Sequence, residues 1–192
     1  MKSLLIPIVF ILGTFSVFAQ TSWVGDNNHT NIRFTATHMV IAEVDGVFRN
    51  FDIKVTSHKD DFDGSDVEFT ADVGSIDTGN ERRDGHLKSD DFFSAEQFPH
   101  IKFSGKLNKM GSKYQLKGDF TMRDVTKTET FDVVYNGSIA TQRGRKAGFK
   151  LTGSVNRFDY GLKWDNAIPD GNLVAGENIA ITCNVELNEV TQ

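Results

Sequence analysis

The chain has 192 residues, with 21 Lys and Arg against 26 Asp and Glu, for a formal charge of −5. That balance argues against a nucleic-acid partner, because such affinity comes mainly from basic side chains neutralising phosphates. A single cysteine, Cys183, excludes an intramolecular disulfide framework, and a chain of this size can rely on one packed core instead.

Met1-Lys2-Ser3 is a short basic start, and Leu4–Phe18 is an apolar run broken only by Pro7, Gly13, Thr14 and Ser16. Small side chains at Val17 and Ala19 then predict cleavage before Gln20, the pattern of an export leader. The expectation is a periplasmic or secreted protein with a leader over 1–19 and one domain over 20–192. The apolar run is short for a spanning helix and no second one follows, so no permanent membrane span is expected. No cysteine stands near the cleavage point to carry a lipid.

Period-two alternation dominates the rest of the chain and marks half-buried strands. Ile32, Phe34 and Ala36 open the series, followed by Phe51, Ile53 and Val55, and then by Val67, Phe69, Ala71 and Val73. Ile101, Phe103 and Leu107 come next, then Tyr114, Leu116, Phe120 and Met122. Phe131, Val133 and Tyr135 precede Phe149, Leu151 and Val155, and the row Ile179, Ile181, Cys183, Val185 and Leu187 ends the chain. Eight such strands joined mostly by short polar turns suit antiparallel neighbours. Closing them into a barrel removes exposed edges; a two-sheet sandwich fits the alternation as well.

One internal segment reads as helical. Asn80 is a good cap, Glu81–Ser89 lacks proline, and Asp84 with Lys88 forms a favourable i,i+4 pair. Gly85 weakens this helix, so tertiary contacts must hold it. A second helical turn is weakly signalled around Met39–Ala42.

Sixteen phenylalanines against three tyrosines and two tryptophans is a skewed aromatic set. Phe34, Phe51, Phe69, Phe103, Phe120, Phe131 and Phe149 all fall on the inward phase, where they offer apolar area with no polar atom to satisfy. That lining suits hydrocarbon better than a sugar or nucleotide. Strands of about ten residues, tilted as in a barrel, would enclose a space roughly 25 Å deep. Gly105, Gly118 and Gly153 also lie on the inward phase; they mark either bends or ligand space. Side chains alone can fill an eight-stranded barrel, so a solid core is the competing reading.

The segment Ser75–Phe93, SIDTGNERRDGHLKSDDFF, interrupts the strands with two arginines, a histidine and several carboxylates. Together with Asp26 and His29-Thr30, Gly46-Val47-Phe48, Phe98–Phe103, Thr121–Lys127 and Arg157–Gly161, it closely resembles the signature of the YceI-like family. Members of that family are secreted lipocalin-like barrels that bind polyisoprenoids and other long-chain amphiphiles. The resemblance covers essentially the whole chain after the leader. Thr30 stands where serine is common and Asp124 where glycine is usual, and the latter bears on a hairpin rather than on binding. The resemblance implies an all-β fold, an eight-stranded antiparallel lipocalin-like barrel with a short helix over one end. It also implies an interior that holds a polyisoprenoid, fatty acid or amide for transport, storage or sequestration. Family members often pair, so a homodimer is an expected assembly.

The expected ligand contacts are Phe34, Phe51, Phe69, Phe93, Phe103, Phe120, Phe149 and Trp164, with His38 at one mouth of the barrel. Arg83, Asp84 and His86 have two readings: contacts to a head group, which arginine's fork of donors favours, or a salt-bridged cap over the barrel. Arg82 belongs to that solvated or salt-bridged cap in the second reading and is expected to face solvent. Arg157 and Asp159, two apart, would share one face of a strand and support structure. Trp23 and Trp164 are core residues or end plugs.

No cofactor or metal is expected. The five histidines show no metal-ligand spacing, and there is no nucleophile elbow, P-loop or dinucleotide fingerprint. Cys183 shares an apolar row with Ile181 and Val185, as an inert buried thiol does. Binding without catalysis is therefore the expectation, the alternative being an enzyme acting on the head group of such an amphiphile.

Overall fold

Each alternating run in the sequence forms a strand, and strand neighbours follow chain order almost throughout. The computed structural model describes residues 20–190; the expected leader lies outside the described residues. Thr21–Gly25 (β1) and Asn31–His38 (β2) lie along one side of the long last strand, β11 (Ala175–Glu189), with Asp26–Thr30 bulging between them. Ala42–Phe48 (β3) returns beside β2, and Phe51–Ser57 (β4) beside β1. Ser65–Asp72 (β5) pairs with β4, and Ile76–Asp77 (β6) with β3. These six elements are thus three long strands, each broken once.

A helix, α1 (Glu81–Lys88), interrupts the series before β7 (His100–Met110) pairs with β5. Lys113–Met122 (β8), Val125–Thr141 (β9) and Gly144–Asn156 (β10) follow as a meander, and β11 pairs with β10. Because β11 also bonds β1 and β2, eight antiparallel strands, three of them broken, close into a barrel, which removes the long exposed edges of an open sheet.

The breaks have local causes. At the first, the Thr30 hydroxyl donates to the Glu186 carbonyl (3.2 Å) and accepts from the Glu186 amide (3.1 Å), so its side chain replaces the missing ladder bonds. Beside it, Lys146 Nζ lies 3.0 Å from Asp26 and 2.6 Å from Glu186 and clasps β10 to the bulge. The Asp26 and His29-Thr30 motif is therefore a strand-break clamp on the barrel's outside.

The Lys146 ammonium is the main reason that Asp26 titrates well below the usual carboxylate range; burial opposes it, and His29, Asn188 and the Asn28 amide add to it. A depressed folded-state pKa contributes stability above the unfolded value of about 3.8, which is lost as pH falls towards the folded value. Lys146→Met should therefore lower Tm at pH 7. The gap to wild type should close in melts below pH 4; an unchanged gap would assign Lys146 a packing role alone.

Two local expectations are corrected. Met39–Ala42 is no helical turn: Met39 and Val40 have φ of 48° and 67°, and the Ile41 amide donates to the His38 carbonyl (3.2 Å). This is a hairpin whose three-residue tip, Met39–Ile41, joins the paired ends His38 and Ala42, with positive φ at its first two residues as in a type I′ turn. Arg157 and Asp159 lie not on a strand but in a 3-10 turn, Arg157–Tyr160, where Asn156 caps the Phe158 amide. The glycine question resolves towards close packing. Gly105 and Gly118 face each other across β7 and β8, and a Cβ on either would strike the partner strand's backbone. At Gly153 the Phe131 ring takes the space, and at Gly46 the Phe34 ring does.

One end of the barrel is plugged. Phe62, fully buried with φ 61°, folds inward from the β4–β5 loop onto Trp23 (5.0 Å), Phe149 (5.0 Å) and Tyr135 (5.4 Å) between ring centroids. Tyr114 Oη donates to the Asp61 carbonyl (2.6 Å) and Ser65 Oγ to that of Phe62 (2.8 Å), which fixes the loop. The other end carries α1, the β2–β3 and β8–β9 hairpins and the long β10–β11 crossover.

Candidate functional site

Between the plug and α1 lies a cavity of about 370 Å³. Its wall is the inward phase of the strands. Phe103, Phe120 and Phe149 are buried and line it, while Phe34, Phe69, Leu151 and Ile181 line it and remain half-buried. A barrel filled by its own side chains would bury these inward residues completely. Here their remaining surface faces the cavity. Phe51 is buried in the core but lies off the cavity wall.

Polar side chains reach the cavity chiefly at its upper end, where His38, Thr78, Arg83, His86 and Arg157 border it alongside Phe93 and Trp164. The lid there is built on Thr78. Asn80 caps α1 by accepting from the Arg83 amide (3.0 Å). Asp84 accepts from the Thr78 amide (2.9 Å) and hydroxyl (2.5 Å). Arg83 Nε donates to the same hydroxyl (2.7 Å) and Nη2 to the Thr78 carbonyl (2.8 Å). Asp84 therefore fastens the helix to the barrel rather than pairing with Lys88, and it does not line the cavity. Arg83 does both, with two of its three side-chain nitrogens held by Thr78. Arg82 is exposed.

His86 Nε2 lies 2.9 Å from Asp91, and its ring meets Phe92 and Trp164 edge-on at 5.1 and 5.5 Å. Phe92 packs on Trp164 at 5.3 Å and Phe93 on Phe48 at 6.2 Å. The paired phenylalanines that end the polar segment are thus the underside of the lid. Arg157 is 3% exposed and donates to the carbonyls of Leu162 (2.6 Å), Ala175 (2.9 Å) and Gly176 (2.9 Å). Burial lowers its pKa, and the Asp165 and Glu177 charges oppose the shift. Its fork holds the crossover that carries Trp164. Cys183 is on the cavity wall, and burial pushes its thiol up to about 12, so it stays protonated and unreactive.

Outside the barrel, Asp26, His29 and Glu186 bring three ligand-type atoms within 4.8 Å of one another. Lys146 already supplies the cation between the two carboxylates. Thr78, Leu162 and Val174 line the site without having stood out in the sequence. Thr78 was signalled only by its place between β6 and the helix cap.

The fold and site define a closed antiparallel barrel with an apolar interior and polar groups gathered at one mouth. The chain belongs to the YceI-like domain family, whose pattern it matches over residues 23–187. It is 32% identical over 171 residues to a UPF0312 protein of Staphylococcus aureus (strain MSSA476), covering 88% of this chain and 98% of that one. The YCEI protein of Campylobacter jejuni superposes with a TM-score of 0.70 at 27% identity, over 81% of this chain and 90% of that one. A polyisoprenoid binding domain from Saccharophagus degradans shares the fold, with a TM-score of 0.67 at 11% identity, over 88% and 98% of the two chains. Among the described residues no helix is long and apolar enough to cross a membrane.

Proposed function

We propose that this protein is exported and holds a polyisoprenoid or another long-chain amphiphile in its barrel, for transport, storage or sequestration. The observation that carries the reading is the wall itself: Phe34, Phe69, Leu151 and Ile181 face inward yet keep accessible surface around an apolar cavity. An apolar chain entering that space gains the burial these side chains lack. His38, Arg83 and His86, at the mouth, are placed to meet a polar head. The binding described for the Saccharophagus neighbour supports this choice of ligand, and the leader-like residues 1–19 support export, with a periplasmic or secreted destination.

His86 with Asp91 gives the head-group enzyme its one supporting observation. Against it, among the described residues the His86 ring has Asp91 as its one hydrogen-bond partner, and no hydroxyl or thiol bonds its other nitrogen. Titration with a fluorescent fatty-acid analogue, displaced by farnesol, tests the proposal. Saturable uptake that survives His86→Ala is the expected result. Turnover of a prenyl ester or pyrophosphate, lost in His86→Ala while uptake persists, would replace it with the enzyme.

A further inference from the structure

Among the described residues, the longest run of consecutive exposed large apolar side chains is at the β2–β3 hairpin tip. Met39, Val40 and Ile41 are 40%, 58% and 90% exposed, three in succession, whereas the other exposed large apolar residues occur singly along the sequence. Met39 and Val40 also occupy the two positive-φ positions, where Asn-Gly is the favoured pair and a β-branched residue is strained. Neither turn geometry nor solubility accounts for these three side chains.

Their place does. His38, immediately before the tip, and Val44, shortly after it, both line the cavity. The Met39 amide donates to the carbonyl of Val174, another cavity residue, at 2.9 Å. The tip therefore stands on the cavity rim, at the end opposite the Phe62 plug. Arg82 on α1 and Lys163 in the crossover share that end with the exposed acids Glu43, Glu81 and Asp165, so apolar surface and not charge selects the occupant. A second copy of the chain is a poor occupant, because three protruding side chains fall far short of the roughly 800 Å² per partner that a stable interface buries. A bilayer needs no such matching surface.

We infer that the protein docks its cavity mouth on a lipid bilayer by inserting the Met39-Val40-Ile41 tip, so that ligand passes between membrane and barrel without crossing water. The inference rests on the ligand-binding reading above, and the two fail separately. Co-sedimentation with phosphatidylcholine vesicles is compared for wild type, Ile41→Asp and the double variant Met39→Asn/Val40→Gly, alongside uptake of the fluorescent fatty-acid analogue from aqueous solution. Ile41→Asp should weaken vesicle partitioning about tenfold or more, as loss of one buried aliphatic side chain does. The double variant, with favoured turn residues, should melt higher than wild type and yet partition less, a combination that a purely structural tip would not give. Uptake from solution should be unchanged in both.

Wild type that takes up the analogue but leaves vesicles bare, or variants that sediment as wild type does, would overturn the docking and spare the ligand. Loss of a dimer in Ile41→Asp, seen by sedimentation velocity, would overturn it in favour of a second copy. Failure of uptake from solution in wild type would overturn the ligand reading, and the inference with it.

Discussion

Arg157→Met should destabilise the fold by about 3–5 kcal/mol, on the order of two or three lost hydrogen bonds from a charged donor. The guanidinium satisfies three backbone carbonyls, of Leu162, Ala175 and Gly176, which would otherwise be left in the packed end of the crossover. Its Cζ also lies 4.2 Å from the Phe158 ring centroid and 5.8 Å from that of Phe92. Lysine carries the charge but not the planar fork, so Arg157→Lys should recover less than half of the loss. Urea denaturation of the three proteins measures this directly. Methionine within about 1 kcal/mol of wild type, below the usual cost of such a truncation, would show that the carbonyls find other partners. The same variant should loosen Trp164 and reduce ligand uptake before the barrel unfolds.

The second large effect is on binding rather than folding. Ile181 sits midway along β11, half-buried, with Phe34 and Gly153 as its register partners, and it lines the cavity. Ile181→Asp should fold, because Ile181 keeps accessible surface on the cavity side, through which water can reach an introduced carboxylate. An apolar chain must strip that water, and several kcal/mol of uncompensated desolvation should lower affinity about 100-fold or more. Ile181→Leu should bind as wild type does. Acid pH should restore part of the lost affinity in Ile181→Asp, since the neutral acid is cheaper to bury. Equal affinity across these variants, with circular dichroism unchanged, would place the ligand outside the barrel.

The strands were legible because alternation is a direct imprint of a surface with one wet face. The inward rows from Ile32 to Leu187 are the buried or cavity-facing rows of the barrel. What alternation does not carry is long-range pairing. Closure by β1 and β2 on β11 depended on partners far apart in sequence, and only the family resemblance favoured it over a sandwich. β3 was obscured because Gly46 leaves a gap in the inward row of Ala42, Val44 and Phe48 while Val47 puts an apolar residue on the outer face; Gly46 is there to admit the Phe34 ring from the paired strand. Phe62 was missed for a similar reason. An aromatic among Asp60, Asp61 and Asp63 reads as a loop residue, and its burial is decided by Trp23, Tyr135 and Phe149.

The site was legible in its composition more than in its roles. Charge density in Ser75–Phe93 suggested head-group chemistry, yet Asp84 and most of Arg83 are spent holding Thr78. Hydrogen bonds six or fewer residues apart decide that outcome, and no periodicity announces them. Phe51, on the right phase, fell off the cavity wall because phase fixes the face of a strand and not its height in the barrel.

The central claim is that the barrel carries a long apolar ligand. Native mass spectrometry of the protein purified without detergent, before and after incubation with prenyl alcohols and fatty acids, tests it most directly. The account predicts a barrel carrying one hydrophobic molecule, released on activation or by organic extraction and absent in Ile181→Asp. Bare protein in every preparation, after incubation as well as before, would contradict it.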